Sequence, residues 1–171
     1  MDNIGVLSLK RRAIRLGLCE EYRRKWDLAC TKDELVRMAI DSNGVEFLAD
    51  SIAFGWGVGK DYILREFDGY VNGKHLCGED GYTSEMFVGA YGGVTTRATI
   101  TLFAYCDKYL DVEIPAGIVS RVYVCGGSRI RIHCKGSLEL YVYGTDNIVD
   151  CVEYEGSKVV RKDVCLSEWV K

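Results

Sequence analysis

Residues 55–61 read GWGVGKD, a run of glycines ending in a lysine, which is the composition of loops that cradle phosphate. A phosphate loop of the Gly-x-x-x-x-Gly-Lys-Ser/Thr kind needs a glycine at position 54 and a hydroxyl at position 61, between a strand and a helix. The chain has Phe54 and Asp61 there, after a segment with helical periodicity. A dinucleotide fingerprint also fails, because Lys60 stands where the third glycine belongs. The run therefore reads as a helix-to-helix turn, with Gly55 ending one helix, Gly57 and Gly59 free to take positive φ, and Asp61 near the next N-terminus.

Other chemistry is equally thin. There is no Cys-x-x-Cys and no His-x-x-x-His, and the two histidines, His75 and His133, neighbour Cys77 and Cys134. Adjacent strand residues point to opposite faces, so His133 and Cys134 cannot share an ion without distortion. The paired acids Glu79 with Asp80, and Asp107 with Asp111, fall in expected turns, where solvated carboxylates are ordinary. Nothing brackets a cysteine or serine with a base and an oxyanion donor. The sequence reads as non-catalytic, with no cofactor and no metal.

The elements that position these residues fall into two halves. From Leu7 to about Phe67 the apolar residues recur three and four apart. Leu9, Ala13, Leu16, Tyr22 and Trp26 define one face of two short helices broken near Gly17. Arg11, Arg12, Arg15 and Arg24 stand on the other side, within a basic stretch from Lys10 to Lys25. Thr31 followed by Glu34 is a capping-box signature for a helix from about Lys32 to Asp41. VEFLADSIAFG, with Phe47, Leu48, Ile52 and Phe54 inward, and KDYILREF, with Tyr62, Ile63 and Phe67 inward, predict two more.

From about Tyr82 the period becomes two. ATITLFAYC, VSRVYVC, RIRIHC and LELYVY alternate, with turn residues between them. Aligning TLFAYCDKYLDVEI, SRVYVCGGSRIRIH and ELYVYGTDNIVDC stacks Cys106, Cys125 and Tyr143, and superposes Phe103, Val122 and Leu140. SEMFVGAYGGVTTRATI begins a weaker unit and SKVVRKDV a frayed last one. The fold class is thus α+β: a helical region over 1–77, then a short β-solenoid over 78–171, forming one continuous unit. The alternative is a meander of hairpins, turning for example at Gly126 and Gly127.

In a solenoid the outward positions form ladders. Arg121, Tyr123, Arg129, Arg131, Tyr141 and Tyr143, with Tyr109, make an aromatic and arginine surface suited to protein or carbohydrate contact. The charge of −3, from 22 basic and 25 acidic residues, points to neither nucleic acid nor membrane. FLADSIAFGWGVGKDYILREF has the outline of a helix-turn-helix, yet Lys60 and Arg65 are offset by Asp61 and Glu66. No apolar run approaches the length of a membrane span, and the start lacks the pattern of a secretory signal. The eight cysteines, several of them at strand positions, then read as reduced thiols acting as small hydrophobes in a cytoplasm.

The segments LKRRAIRLGLCEEYRRKW, DELVRMAI, FLADSIAFGWGVGKDYILREF and GYTSEMFVGAYGG together resemble a group of small proteins encoded by phages and mobile elements of gut bacteria. The resemblance implies a setting, the bacterial host cytoplasm, and no particular activity. It favours a protein that binds or blocks a host protein, or a structural component that joins a virion or self-assembles as a homo-oligomer through open coil edges. SEWVK, with Trp169, would cover the last coil or dock to a partner.

Overall fold

The computed structural model describes residues 11, 14, 20–28, 31–54, 59–78 and 80–165. Among them the helices are α1 (Glu20–Leu28), α2 (Lys32–Ala39), α3 (Gly44–Ala53) and α4 (Lys60–Glu66), followed by a short 3₁₀ turn at Asp68–Tyr70. Their local causes are visible. Thr31 caps α2: its hydroxyl accepts from the Glu34 N–H at 3.2 Å, and the Glu34 carboxylate accepts from the Thr31 N–H at 3.0 Å. The Asp41 carboxylate starts α3, accepting from the Gly44 N–H at 2.7 Å and from the Tyr22 hydroxyl, which ties α1 to the same corner. Of the expected turn between α3 and α4, residues 55–58 lie outside the described set. Gly59 precedes α4 with φ −83°, ordinary extended backbone and no left-handed turn.

The strands are β1 (Leu76–Cys77), β2 (Thr83–Val88), β3 (Gly92–Thr95), β4 (Ile100–Ala104), β5 (Leu110–Ile114), β6 (Val119–Cys125), β7 (Arg129–Cys134), β8 (Ser137–Tyr143), β9 (Ile148–Glu153) and β10 (Lys158–Val164). They form two sheets, a larger one in the order β1-β2-β4-β6-β8-β10 and a smaller one in the order β3-β5-β7-β9. Every neighbouring pair is parallel except β1 with β2. From β2 onward successive strands alternate between sheets, so the chain winds as a β-solenoid; the hairpin meander is not what forms. Gly126 and Gly127, at φ +68° and +69°, turn the corner from β6 in one sheet to β7 in the other. The weak first unit is β2 with β3, and the frayed last one is β10.

The repeat register holds for the later coils, Val122↔Leu140 and Val124↔Val142. It is displaced for the earlier one, where Ala104 and not Cys106 stands beside Cys125. The corners at 105–109 and 115–118 are longer than those at 126–128 and 135–136, so the second coil takes more chain. A displacement of two residues leaves each side chain on its expected face.

Among the described residues two large apolar cores result, beside a small cluster of Tyr22 and Met38 between α1 and α2. One fills the solenoid between the sheets and includes Phe87, Phe103, Leu110, Val124, Ile132 and Leu140. The other lies on the outer face of the larger sheet, where Ile100, Leu102, Tyr123, Cys125 and Tyr143 meet Val45, Ala49 and Ile52 of α3. Under this cover β2 and β4 of the larger sheet are buried on both faces, β4 throughout, whereas β5 and β7 of the smaller sheet alternate between interior and solvent. The helical and β regions share this second core, and β1 at Leu76–Cys77 already belongs to the larger sheet.

Coil corners stack closely. A Cβ built on Gly136 would lie 2.3 Å from the Ile118 carbonyl oxygen and 2.7 Å from that of Pro115. Both are backbone atoms of the preceding coil's corner, itself held by the Ser137 N–H donating to the Ile118 carbonyl at 2.8 Å. Gly136→Ala is expected to separate these corners and lower the urea midpoint, at a cost of roughly 1–3 kcal/mol, with the slope of the transition unchanged.

Candidate functional site

Tyr123 and Tyr143 do not belong to an exposed surface: they are 0% and 3% exposed. They point away from the solenoid interior, as their strand positions require, but α3 covers that face. The Tyr123 hydroxyl donates to Glu46 of α3 at 3.5 Å. Burial, reinforced by the Glu46 charge, pushes both phenols above their ordinary range. Tyr141, half-buried, and Arg121 lie nearby where the helical cover ends, both bonded to Glu139 at 3.2 Å. Arg121 and Glu139 edge a groove of about 460 Å³ lined also by Tyr82, Val119 and Val160.

Arg129 and Arg131 belong to the opposite side of the molecule, the outer face of the smaller sheet. Parallel pairing aligns Gly93, Asp111, Arg131 and Asp150 in one row across β3, β5, β7 and β9, and Thr95, Glu113, His133 and Val152 in another. The alternation of LDVEI sends Leu110, Val112 and Ile114 inward, so Asp111 and Glu113 emerge side by side on the strand. Asp111 is thus a strand residue, correcting its expected place in a turn.

Side chains on this face are interlocked. His133 Nε2 lies 3.3 Å from Asp111 Oδ1, and its Nδ1 lies 3.2 Å from the Tyr154 hydroxyl. Lys135 pairs with Glu113 at 3.1 Å. Lys108, Arg131 and Lys135 sit over the rings of Tyr91, Tyr109 and Tyr154 at 4.9, 5.6 and 5.4 Å from the centroids. These tyrosines are 66%, 47% and 43% exposed, large amphipathic rings held in place and turned to solvent. A depression of about 240 Å³ opens beside them, where Gly93 has no side chain and Asp111, Glu113 and His133 form the walls. Sequence reasoning found Tyr109, Arg129 and Arg131 here and missed Tyr91, Asp111, Glu113, His133 and Tyr154. The signal for the acids was the alternation of β5 itself.

The remaining expected residues are dispersed. Arg11 is helical and exposed, while Arg12 and Arg15 lie outside the described residues, as does SEWVK. Arg24 is exposed and paired with Glu20 at 2.6 Å. In α4, the second helix of the helix-turn-helix outline, Lys60 approaches Asp107 at 3.8 Å and Arg65 pairs with Glu66 at 2.9 Å, so both cations have acidic partners. Burial raises the Asp80 carboxyl, yet the Ser42 and Tyr82 backbone N–H groups outweigh it and hold the group below its ordinary value. It is therefore a loop tie. No helix among the described residues is long and apolar enough to cross a membrane.

The thiols follow the packing. Cys106, Cys125 and Cys134 are buried and free, and burial pushes all three up. Cys151 is pushed up to about 11 by the same cause. Such thiols carry little thiolate at neutral pH and are poor nucleophiles. A thiol reagent at pH 8 is expected to modify exposed Cys77 and Cys165 in the native protein and the three buried cysteines only after denaturation, as read by peptide mass spectrometry. Rapid native labelling of Cys125 would contradict the helical cover.

No family model matches the chain, and neither a curated protein nor a solved structure matches it.

Proposed function

We propose that this is a non-catalytic interaction protein of phage or mobile-element origin, which binds and blocks a protein of its bacterial host through the outer face of the smaller sheet. One observation carries the reading. The helices pack on the outer face of β2, β4 and β6 in the larger sheet, whereas the smaller sheet turns Tyr91, Tyr109 and Tyr154 to solvent among paired charges. Tyrosines bring large contact area at low entropic cost, and arginine is enriched at the centre of protein interfaces. The ion pairs fix rotamers before contact, which reduces the ordering cost of binding.

The test is affinity capture from host lysate with the tagged wild type and with the double variant Tyr109→Ala, Arg131→Glu. The wild type is expected to retain one abundant host protein through a moderate-salt wash, and the variant to lose it while keeping the wild-type urea midpoint. Equal retention by both proteins, or no retained protein, would refute this reading.

A further inference from the structure

The strand edges at the two ends of the solenoid are not equivalent. At the last coil, Arg161 stands beside Leu140, an interior position in the coil before. Its guanidinium donates to the Val149 carbonyl of β9 at 2.8 Å and pairs with Asp163 at 3.1 Å. A charge placed at an interior position, occupying an edge acceptor, blocks further strand addition. At the first coil, β1 pairs antiparallel with β2 and takes the edge of the larger sheet.

Among the described residues, β3 carries neither device. The Gly92 N–H donates to the Tyr109 carbonyl at 3.1 Å and the Thr96 N–H to the Glu113 carbonyl at 3.0 Å, so these residues face β5. By the alternation of a strand, Gly93 and Thr95 turn their N–H and C=O groups the other way, and both residues are exposed. The outer-face row through Gly93 adds a second feature. From β9 to β5 it runs Asp150, Arg131, Asp111, alternating in sign, and it stops at a glycine. Asp111 thus has a cationic residue in register on one side and an empty position on the other.

We propose that β3 is a docking edge that accepts an extended peptide segment of a partner as an added strand, with a Lys or Arg of that segment lying over Gly93 and reaching Asp111. Backbone hydrogen bonds to Gly93 and Thr95 supply the general attraction, and the cation opposite Asp111 supplies the choice of sequence. Strands in a sheet are about 4.8 Å apart, so an added residue opposite Gly93 lies roughly two strand spacings from β5, a gap that a long basic side chain can cross where glycine presents none. This inference rests on the interaction reading above and names the chemistry of the partner.

A displayed library of random dodecapeptides, panned against the wild type, Thr95→Pro and Asp111→Lys, tests it. Proline at 95 removes an N–H that points away from β5, so it blocks strand addition while sparing the ladder to β5. The wild type is expected to enrich peptides rich in β-branched residues with a Lys or Arg at one fixed position. Thr95→Pro should lose that enrichment, and Asp111→Lys should exchange the base for Asp or Glu. With a selected peptide bound, amide exchange at Gly93 and Thr95 should slow. The proposal is overturned if the wild type enriches no motif, if Thr95→Pro enriches the same one, or if Asp111→Lys leaves the basic position unchanged. Should Thr95→Pro fail to fold, the charge exchange decides. If lysate capture is lost with Tyr109→Ala, Arg131→Glu but the library yields nothing, the face reading stands and the edge reading falls.

Discussion

Phe103→Ala is expected to lower the stability of the protein by about 3–5 kcal/mol, the range for deleting a buried phenylalanine. Phe103 is 0% exposed and stacks on Phe87 with ring centroids 5.2 Å apart, inside the core between the two sheets. Neighbouring coils fix the strand spacing, so the sheets cannot close over the void and the cavity cost is retained. The measurement is the urea midpoint, with Tyr109→Ala as its comparison. Tyr109 lies on the outer face of the smaller sheet, and its truncation should change stability by no more than about 0.5 kcal/mol. Similar losses for the two variants would contradict the assignment of interior and exterior.

Ala49→Glu should be as severe, by another mechanism. Ala49 is 0% exposed and lies in the core shared by α3 and the larger sheet, so a glutamate there would be a carboxylate without a partner in an apolar layer. The cost is several kcal/mol, whether the group stays charged or takes up a proton to avoid it. The expected result is a lowered midpoint together with exposure of Cys125, which faces the same layer and should become reactive to a thiol reagent. Arg24→Ala, which removes only an exposed pair with Glu20, should leave both readings unchanged. An unperturbed midpoint for Ala49→Glu would mean that α3 does not cover the sheet.

Much of this architecture is legible in local pattern. The Thr31 and Glu34 cap, the helical period of VEFLADSIAFG and the alternation of RIRIHC each depend on neighbours in sequence, and each leads to the element observed. The faces of Phe103, Val122 and Leu140 were also readable, because parity survives a register displacement of two residues. Which outward face stays outward was not readable. Nothing near Tyr123 states that α3, far away in sequence, will lie over it; that is a property of tertiary packing. A hint was present in β4, where ITLFA holds Thr101 as its single polar residue among apolar ones, as a strand buried on both faces can. The proposed interaction face was half legible for the same reason. Arg129 and Arg131 announce themselves by charge, whereas Asp111, His133 and Tyr154 come together only through pairing across three strands.

If the proposed function holds, the two sheets divide by role, the larger for stability under its helical cover and the smaller for recognition. Amide hydrogen exchange on the protein with and without its captured partner tests that division most directly. The prediction is slowed exchange at Gly93 and Thr95 and in the segments 105–109 and 126–136 flanking β5 and β7, with 44–53 and 119–125 unchanged. Protection centred on α3 or on β6, with the smaller sheet unaffected, would contradict it.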